Sequence, residues 1–219
     1  MALPTYLELV NDILVRMREP EVSTVQENVL SKLIGKLVND AKRQVEDAYK
    51  WSALIADIPL TTVADISTYA VADSGHRYKV SELHNATKYV GLKTVSLAMY
   101  NLWSGSAGVP QKGSPNYYCF NGIDSNGDAK VMFWPVPDGT YTINVQLYVP
   151  QENLASDTDT LKVPTEPVIL GAFARALVER GEDGGLNSSE AYGLYKASLA
   201  DAIAIESSRF VEEDGWEAV

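Results

Sequence analysis

TVQENVLSKLIGKLVNDAKRQVEDAYKW, residues 24–51, decides the fold. Its apolar residues Leu30, Leu33, Ile34, Leu37, Val38, Ala41, Val45 and Ala48 recur at three- and four-residue steps, which align on one face of an α-helix. Ser23 or Thr24 stands where a cap belongs, with Gln26 or Glu27 three residues on as its capping-box partner. Unbroken to Trp51, such a helix runs about 40 Å. Gly35 inside it costs about 1 kcal/mol relative to alanine, which predicts a close helix crossing or a slight bend there.

Upstream, residues 6–18 repeat the pattern with Leu7, Val10, Ile13, Leu14 and Met17 on one face. Glu19-Pro20 ends that helix, because the residue before a proline is pushed out of helical geometry. Downstream of Leu54 the period changes. Residues 58–63 and 67–71 are short, β-branched or aromatic, and read as a hairpin around Ala64-Asp65-Ile66. Residues 78–83 and 88–95 read as further strands. Residues 96–103 fit either a strand or one to two helical turns, and the glycines and prolines of 104–115 predict a loop. The clearest hairpin joins residues 117–123 to 129–134 through Asp124-Ser125-Asn126-Gly127-Asp128, with its Asn-Gly turn signal. After a second turn at 135–139, Tyr141, Ile143, Val145, Leu147 and Val149 alternate as one face of a half-buried strand.

Helix resumes after Val163-Pro164-Thr165. Residues 168–180 carry Ile169, Ala172, Phe173, Ala176 and Leu177 on one face, and the glycines of 181–185 break the helix. A last helix starts at Ser188 or Ser189 and shows Ala191, Leu194, Tyr195, Leu199, Ala202 and Ile203. The expected class is α+β: a bundle of four helices, two N-terminal and two C-terminal, with an inserted antiparallel β lobe. The boundaries place the bundle at 1–57 and 163–209, the lobe at 58–162, and an aperiodic acidic tail at 210–219. Each helical pair has apolar surface that it cannot bury alone, so the pairs are expected to pack together.

Composition narrows the function. The 219 residues hold 18 basic and 29 acidic side chains, a net charge of −11, which opposes a surface built to grip nucleic acid. The excess is localised, since residues 151–219 hold 5 basic and 14 acidic side chains and residues 58–150 hold 6 of each. No run approaches the roughly 18 apolar residues of a membrane span. The N-terminal stretch, with Glu8 and Asp12 among its apolar residues, resembles neither a signal nor a transit peptide. An acidic intracellular protein is expected.

Chemistry-bearing patterns are sparse. His76 and His84 have no HExxH or CxxC companion. In Asp124-x-Asn126-x-Asp128 the glycine falls at the fourth position of a calcium loop and Pro135 stands where its bidentate glutamate belongs, so a hairpin turn is expected. Cys119, between Tyr118 and Phe120, reads as a small core residue. There is no GxSxG elbow and no phosphate-binding glycine loop. Glu46/Asp47, Asp157/Asp159 and Glu182/Asp183 read as solvated helix ends or turns rather than an acid–base pair. No catalytic residue, cofactor site or metal site is expected, and an enzyme is disfavoured.

Three blocks of sequence carry a resemblance. They are Leu9-Val10-Asn11-Asp12-Ile13-Leu14 with Glu19-Pro20 and Val22-Ser23-Thr24; Val38-Asn39-Asp40-Ala41-Lys42-Arg43-Gln44-Val45 ending at Trp51; and Phe133-Trp134-Pro135-Val136-Pro137 running on to Leu154, Asp157, Leu161 and the helix after Pro164. In order and spacing the chain resembles the head-to-tail adaptors of tailed bacteriophages, the tail tubular protein A-like or head-completion connectors. The resemblance implies a virion protein of the head–tail junction, assembled in the host cytoplasm. It implies a homo-oligomeric ring, twelvefold in familiar members, that binds the portal, extends the DNA channel and docks a tail nozzle or tube protein. DNA would pass without being held, an acidic wall disfavouring adhesion. Under this reading Phe210 and Trp216 are apolar plugs of a portal-binding tail, with Glu212, Glu213 and Asp214 meeting basic portal residues. Tyr117 and Tyr118, with the loop at 104–115, are candidates for contact with a neighbouring copy or a tail protein. The alternative is a tail or baseplate module gripping protein or glycan through its β lobe.

Overall fold

The computed structural model describes residues 3–106, 110–181 and 186–209. Along the chain run α1 (Tyr6–Arg16), α2 (Val29–Ala48), β1 (Ile55–Thr61), β2 (Thr68–Val71) and β3 (Lys79–Asn85). Next come β4 (Val90–Gly91), β5 (Lys93–Thr94), α3 (Leu97–Ser106), β6 (Lys112–Gly113) and β7 (Tyr117–Ile123). The last are β8 (Ala129–Trp134), β9 (Val136–Pro137), β10 (Thr142–Tyr148), α4 (Thr165–Arg180) and α5 (Leu186–Ser207). The class is α+β. The chain divides into two compact units, residues 1–53 with 151–219, and residues 54–150.

In the helical unit, α1 is opened by a capping box in which Thr5 accepts from the Glu8 N–H and Glu8 accepts from the Thr5 N–H. It stops at Arg16 because Arg18 takes a left-handed conformation at φ 60°. The second helix is shorter than its apolar stripe suggests. Asn28 and Ser31 form its capping box, while Ser23 and Glu27 hydrogen-bond each other in the turn before it. At the other end Tyr49 is extended, which lets Trp51 fold back and donate its indole N–H to the Val45 carbonyl at 2.7 Å. The 20 residues of α2 span about 30 Å.

Gly35 does mark a close crossing: the hydroxyl end of Tyr6 lies directly over it. α4 packs against α1, α2 and α5. It is therefore buried on several sides, Val168, Leu170, Gly171 and Ala174 included, instead of along the single stripe expected. A helix surrounded by neighbours is apolar all round. Gly181, at φ 65°, caps it. Among its described side chains α5 buries only Ser188, Ala191, Tyr195 and Glu206, and Leu194, expected inside, is exposed. Its main neighbour is α4 alone, so it has one narrow face to cover.

The lobe contains two four-stranded sheets, ordered β1-β10-β3-β4 and β2-β8-β7-β5. Leu60, Leu83, Ile143, Val145 and Leu147 from the first share a core with Val71, Tyr118, Val131 and Phe133 from the second. The β7–β8 hairpin forms as the turn signal predicts, with Gly127 at φ 89°. The expected β1–β2 hairpin does not form, because β1 pairs with β10 and β2 with β8. Between them Asp65 is left-handed, and the Tyr69 hydroxyl accepts from the Val63 N–H and lies 2.8 Å from the Ile66 carbonyl. That corner sends Leu60 and Val71 into the same interior from opposite sheets.

Nor is the lobe wholly antiparallel. β5 pairs with β7 in parallel, as β6 does with β9. Parallel neighbours need a crossover connection; the excursion through α3 supplies it for β5 and β7, and the β7–β8 hairpin supplies it for β6 and β9. The stretch expected as a loop is thus helical through Ser106 and extended again at Lys112-Gly113.

Candidate interaction surfaces

Residues 151–161 leave the lobe and strap the helical unit together, although their sequence had placed them in the lobe. Lys42 and Glu46, one turn apart on α2, are both buried, and Lys42 Nζ lies 3.0 Å from Glu46 Oε1. The same ammonium donates to the carbonyls of Gln151 at 2.7 Å and Glu152 at 3.1 Å. The Gln151 N–H donates to Glu46 Oε1. One turn earlier, Asn39 grips Leu154 at both backbone groups, accepting from its N–H at 2.8 Å and donating to its carbonyl at 3.0 Å.

Farther along, the strap serves α1. The first N–H groups of a helix have no partner within it; here Tyr6 and Leu7 donate to the carbonyls of Asp159 and Asp157. Asp159 Oδ2 accepts from the N–H groups of Ala155 and Ser156. Asp157 Oδ1 accepts from the Val25 N–H. Hydrogen bonds from Thr24 and Val25 hold the Asp157 carboxyl below the ordinary carboxylate range, and those from Ala155 and Ser156 do the same for Asp159. The Asp157/Asp159 pair, expected as helix-end or turn carboxylates, is a set of turn and cap acceptors. Glu46, read as solvated, is buried.

A depressed carboxyl pKa stabilises the folded state above the unfolded pKa, and that stability is lost as pH falls through the folded value. The destabilisation produced by Asp157→Ala is therefore expected to be full at pH 7 and to shrink below about pH 4. Urea titrations of both proteins across that range check it, and a difference that stays constant with pH would refute it.

The candidate residues named from sequence separate. Phe210, Glu212, Glu213, Asp214 and Trp216 lie outside the described residues, as does Glu182/Asp183. Tyr118 is 7% exposed in the lobe core, edge-on to Phe120, so its ring is not on a docking face. Tyr117 is half-buried against Trp103, their rings 5.2 Å apart. Cys119 is buried, and burial pushes its thiol pKa up. Asp124 Oδ1 accepts from the N–H groups of Asn126 and Asp128 inside the hairpin turn.

Two apolar surfaces escaped the sequence reading. Among the described side chains of α3 only Tyr100 is deeply buried, packed edge-on to Trp134, while Leu97, Met99 and Leu102 face solvent. In the helical unit, Met17, Leu30, Leu33, Ile34 and Ala176 line a groove of about 220 Å³. The Arg180–Glu19 ion pair, at 2.9 Å, and Glu179 border it. Periodicity could assign Leu30 and Leu33 to an apolar face, but it could not show that part of that face stays uncovered.

A helical unit closed by a strap, with a two-sheet lobe inserted between its halves, defines an α+β protein whose prominent surfaces suit protein contacts. The chain belongs to the SU10 adaptor protein family, whose model matches residues 4–214. It is thereby a phage adaptor, a virion component, in agreement with the resemblance in its three sequence blocks. Among curated proteins no sequence matches it. Among the described residues no helix is long and apolar enough to cross a membrane.

Proposed function

We propose that this adaptor forms a ring, of twelve copies, beneath the portal, where it extends the DNA channel and docks the tail nozzle or tube. The family match over residues 4–214 carries the reading. The charge distribution supports it: the helical unit holds 12 basic and 22 acidic side chains, the lobe 6 and 7. An acidic lumen repels DNA and keeps it moving. The role is structural rather than catalytic. Residues 210–219 anchor the portal, Phe210 and Trp216 filling apolar pockets and Glu212, Glu213 and Asp214 meeting basic residues.

Electron microscopy of the purified protein with and without its portal tests the ring, which is expected alone or on the portal. Deleting residues 210–219 is expected to abolish portal binding while leaving the thermal unfolding curve unchanged. Undiminished binding of the truncated chain would remove the anchor. A protein indifferent to portal but retained on a glycan matrix would move the assignment to a tail binding module.

A further inference from the structure

The helical unit carries an unfilled apolar groove and the lobe an uncovered apolar helix, and we propose that α3 of one copy seats in the groove of the next. The proposal rests on the ring reading and specifies the contact that builds the ring.

A surface helix ordinarily shows charged residues to water. α3 shows Leu97, Met99 and Leu102, the last 62% exposed. No Asp, Glu, Lys or Arg occurs between Lys93 and Lys112. Met99 and Leu102, three residues apart, share one exposed side of the helix, and an apolar face without charge suits an interaction site. The groove offers a matching receptor, since its floor of Met17, Leu30, Ile34 and Ala176 is aliphatic and Leu33 is 37% exposed at its edge. Its 220 Å³ exceeds the roughly 150 Å³ that accommodates a benzene ring, room for the Leu102 side chain and part of a neighbour.

Charge selects a second copy as the occupant and sets its orientation. Two helical units brought face to face would each present a net charge of −10 and repel. The lobe is almost balanced, and its uncharged helix is bracketed by Lys93 and by Lys112, the latter paired with Asp65; at the groove rim Arg180 pairs with Glu19, and Glu179 leaves the rim net negative, which suits Lys93. A contact between two different patches of the same chain is heterologous, so each copy offers a free patch to the next, and such a series closes as a ring when the rotation between copies closes and runs on as a filament when it does not. Pairing α3 with α3 would stop at a dimer.

The test uses Leu33→Cys and Leu102→Cys in the full chain, on the portal and alone at high concentration, with a short bismaleimide. The native Cys119 is 3% exposed and shielded. Mixed single variants are expected to give covalent dimers that neither gives by itself, and the double variant a ladder of multimers. Leu102→Glu is expected to weaken assembly at least tenfold with unchanged thermal unfolding. Cross-linking of Leu102→Cys to itself, or to a portal or tail protein, would overturn the proposal. So would rings that form without any Leu33–Leu102 product, in which case the ring itself stands. Absence of any multimer on portal would remove both readings.

Discussion

Lys42→Ala is expected to destabilise the helical unit by about 3–5 kcal/mol, the usual cost of stripping one partner from a buried ion pair. Lys42 and Glu46 side chains are 1% and 0% exposed, so water cannot replace the lost ammonium. The substitution also removes the donor that the Gln151 and Glu152 carbonyls share, and a buried acceptor without a donor costs about 1–3 kcal/mol. The strap should therefore loosen along with α2. Removing both charges, as Lys42→Met with Glu46→Leu, is expected to recover much of the loss, because desolvating the pair offsets most of its attraction. The carbonyls keep the recovery incomplete. Urea unfolding of the parent and the two variants measures these differences, and a Lys42→Ala protein within about 1 kcal/mol of the parent would show the pair to be solvated.

Gly35→Ala should also destabilise, by a net of about 1 kcal/mol, because overpacking outweighs the helix propensity that alone favours alanine by about 1 kcal/mol. The added methyl would overlap the Tyr6 hydroxyl and stand 2.9 Å from Val25 Cγ1. Overpacking of this sort costs about 1–3 kcal/mol. Tyr6→Phe by itself gives up the hydrogen bond from Asn39, a loss of about 0.5–1.5 kcal/mol. In the Gly35→Ala background the same change should stabilise, by relieving the overlap. That reversal of sign is a coupling between neighbours, and a thermal double-mutant cycle reads it. Additive effects would mean that α1 shifts away from α2 at no cost.

Both predictions concern residues whose roles the sequence conveyed unequally. The glycine in an otherwise continuous stripe was enough to expect a close crossing or a slight bend, since either one excuses the lost propensity, and the packing of Tyr6 decides for the crossing. Lys42 and Glu46 stand four residues apart, the spacing of an ordinary exposed helical pair, and nothing local distinguishes a buried one. The strap that covers them is more than 100 residues away in the chain. Asp157 and Asp159 were similarly opaque: their spacing suits a turn, but their carbonyls' service to the first turn of α1 is a tertiary fact.

In the lobe, signals complete within a few residues survived. The β7–β8 turn and the alternation of β10 carry their own geometry, one through a positive-φ glycine and the other through a period of two. The β1–β2 relationship failed because two adjacent strands can pair with each other or take opposite sheets, and the choice lies with β10 and β8. α3 is ambiguous alone because its apolar residues are spread round the helix, and an amphipathic period arises only where one face is buried.

By itself, then, the sequence determined where most helices and strands lie, the α+β class, the acidity of the helical parts and, through three short blocks, the family. Those properties depend on backbone propensity, side-chain period and residue identity, all local or additive along the chain. Tertiary structure alone decided the two-sheet arrangement, the parallel pairs, the strap on α2 and which apolar surface stays open on α3 and beside Leu33. Each depends on which distant segments meet, a choice made by the joint burial of residues from many elements.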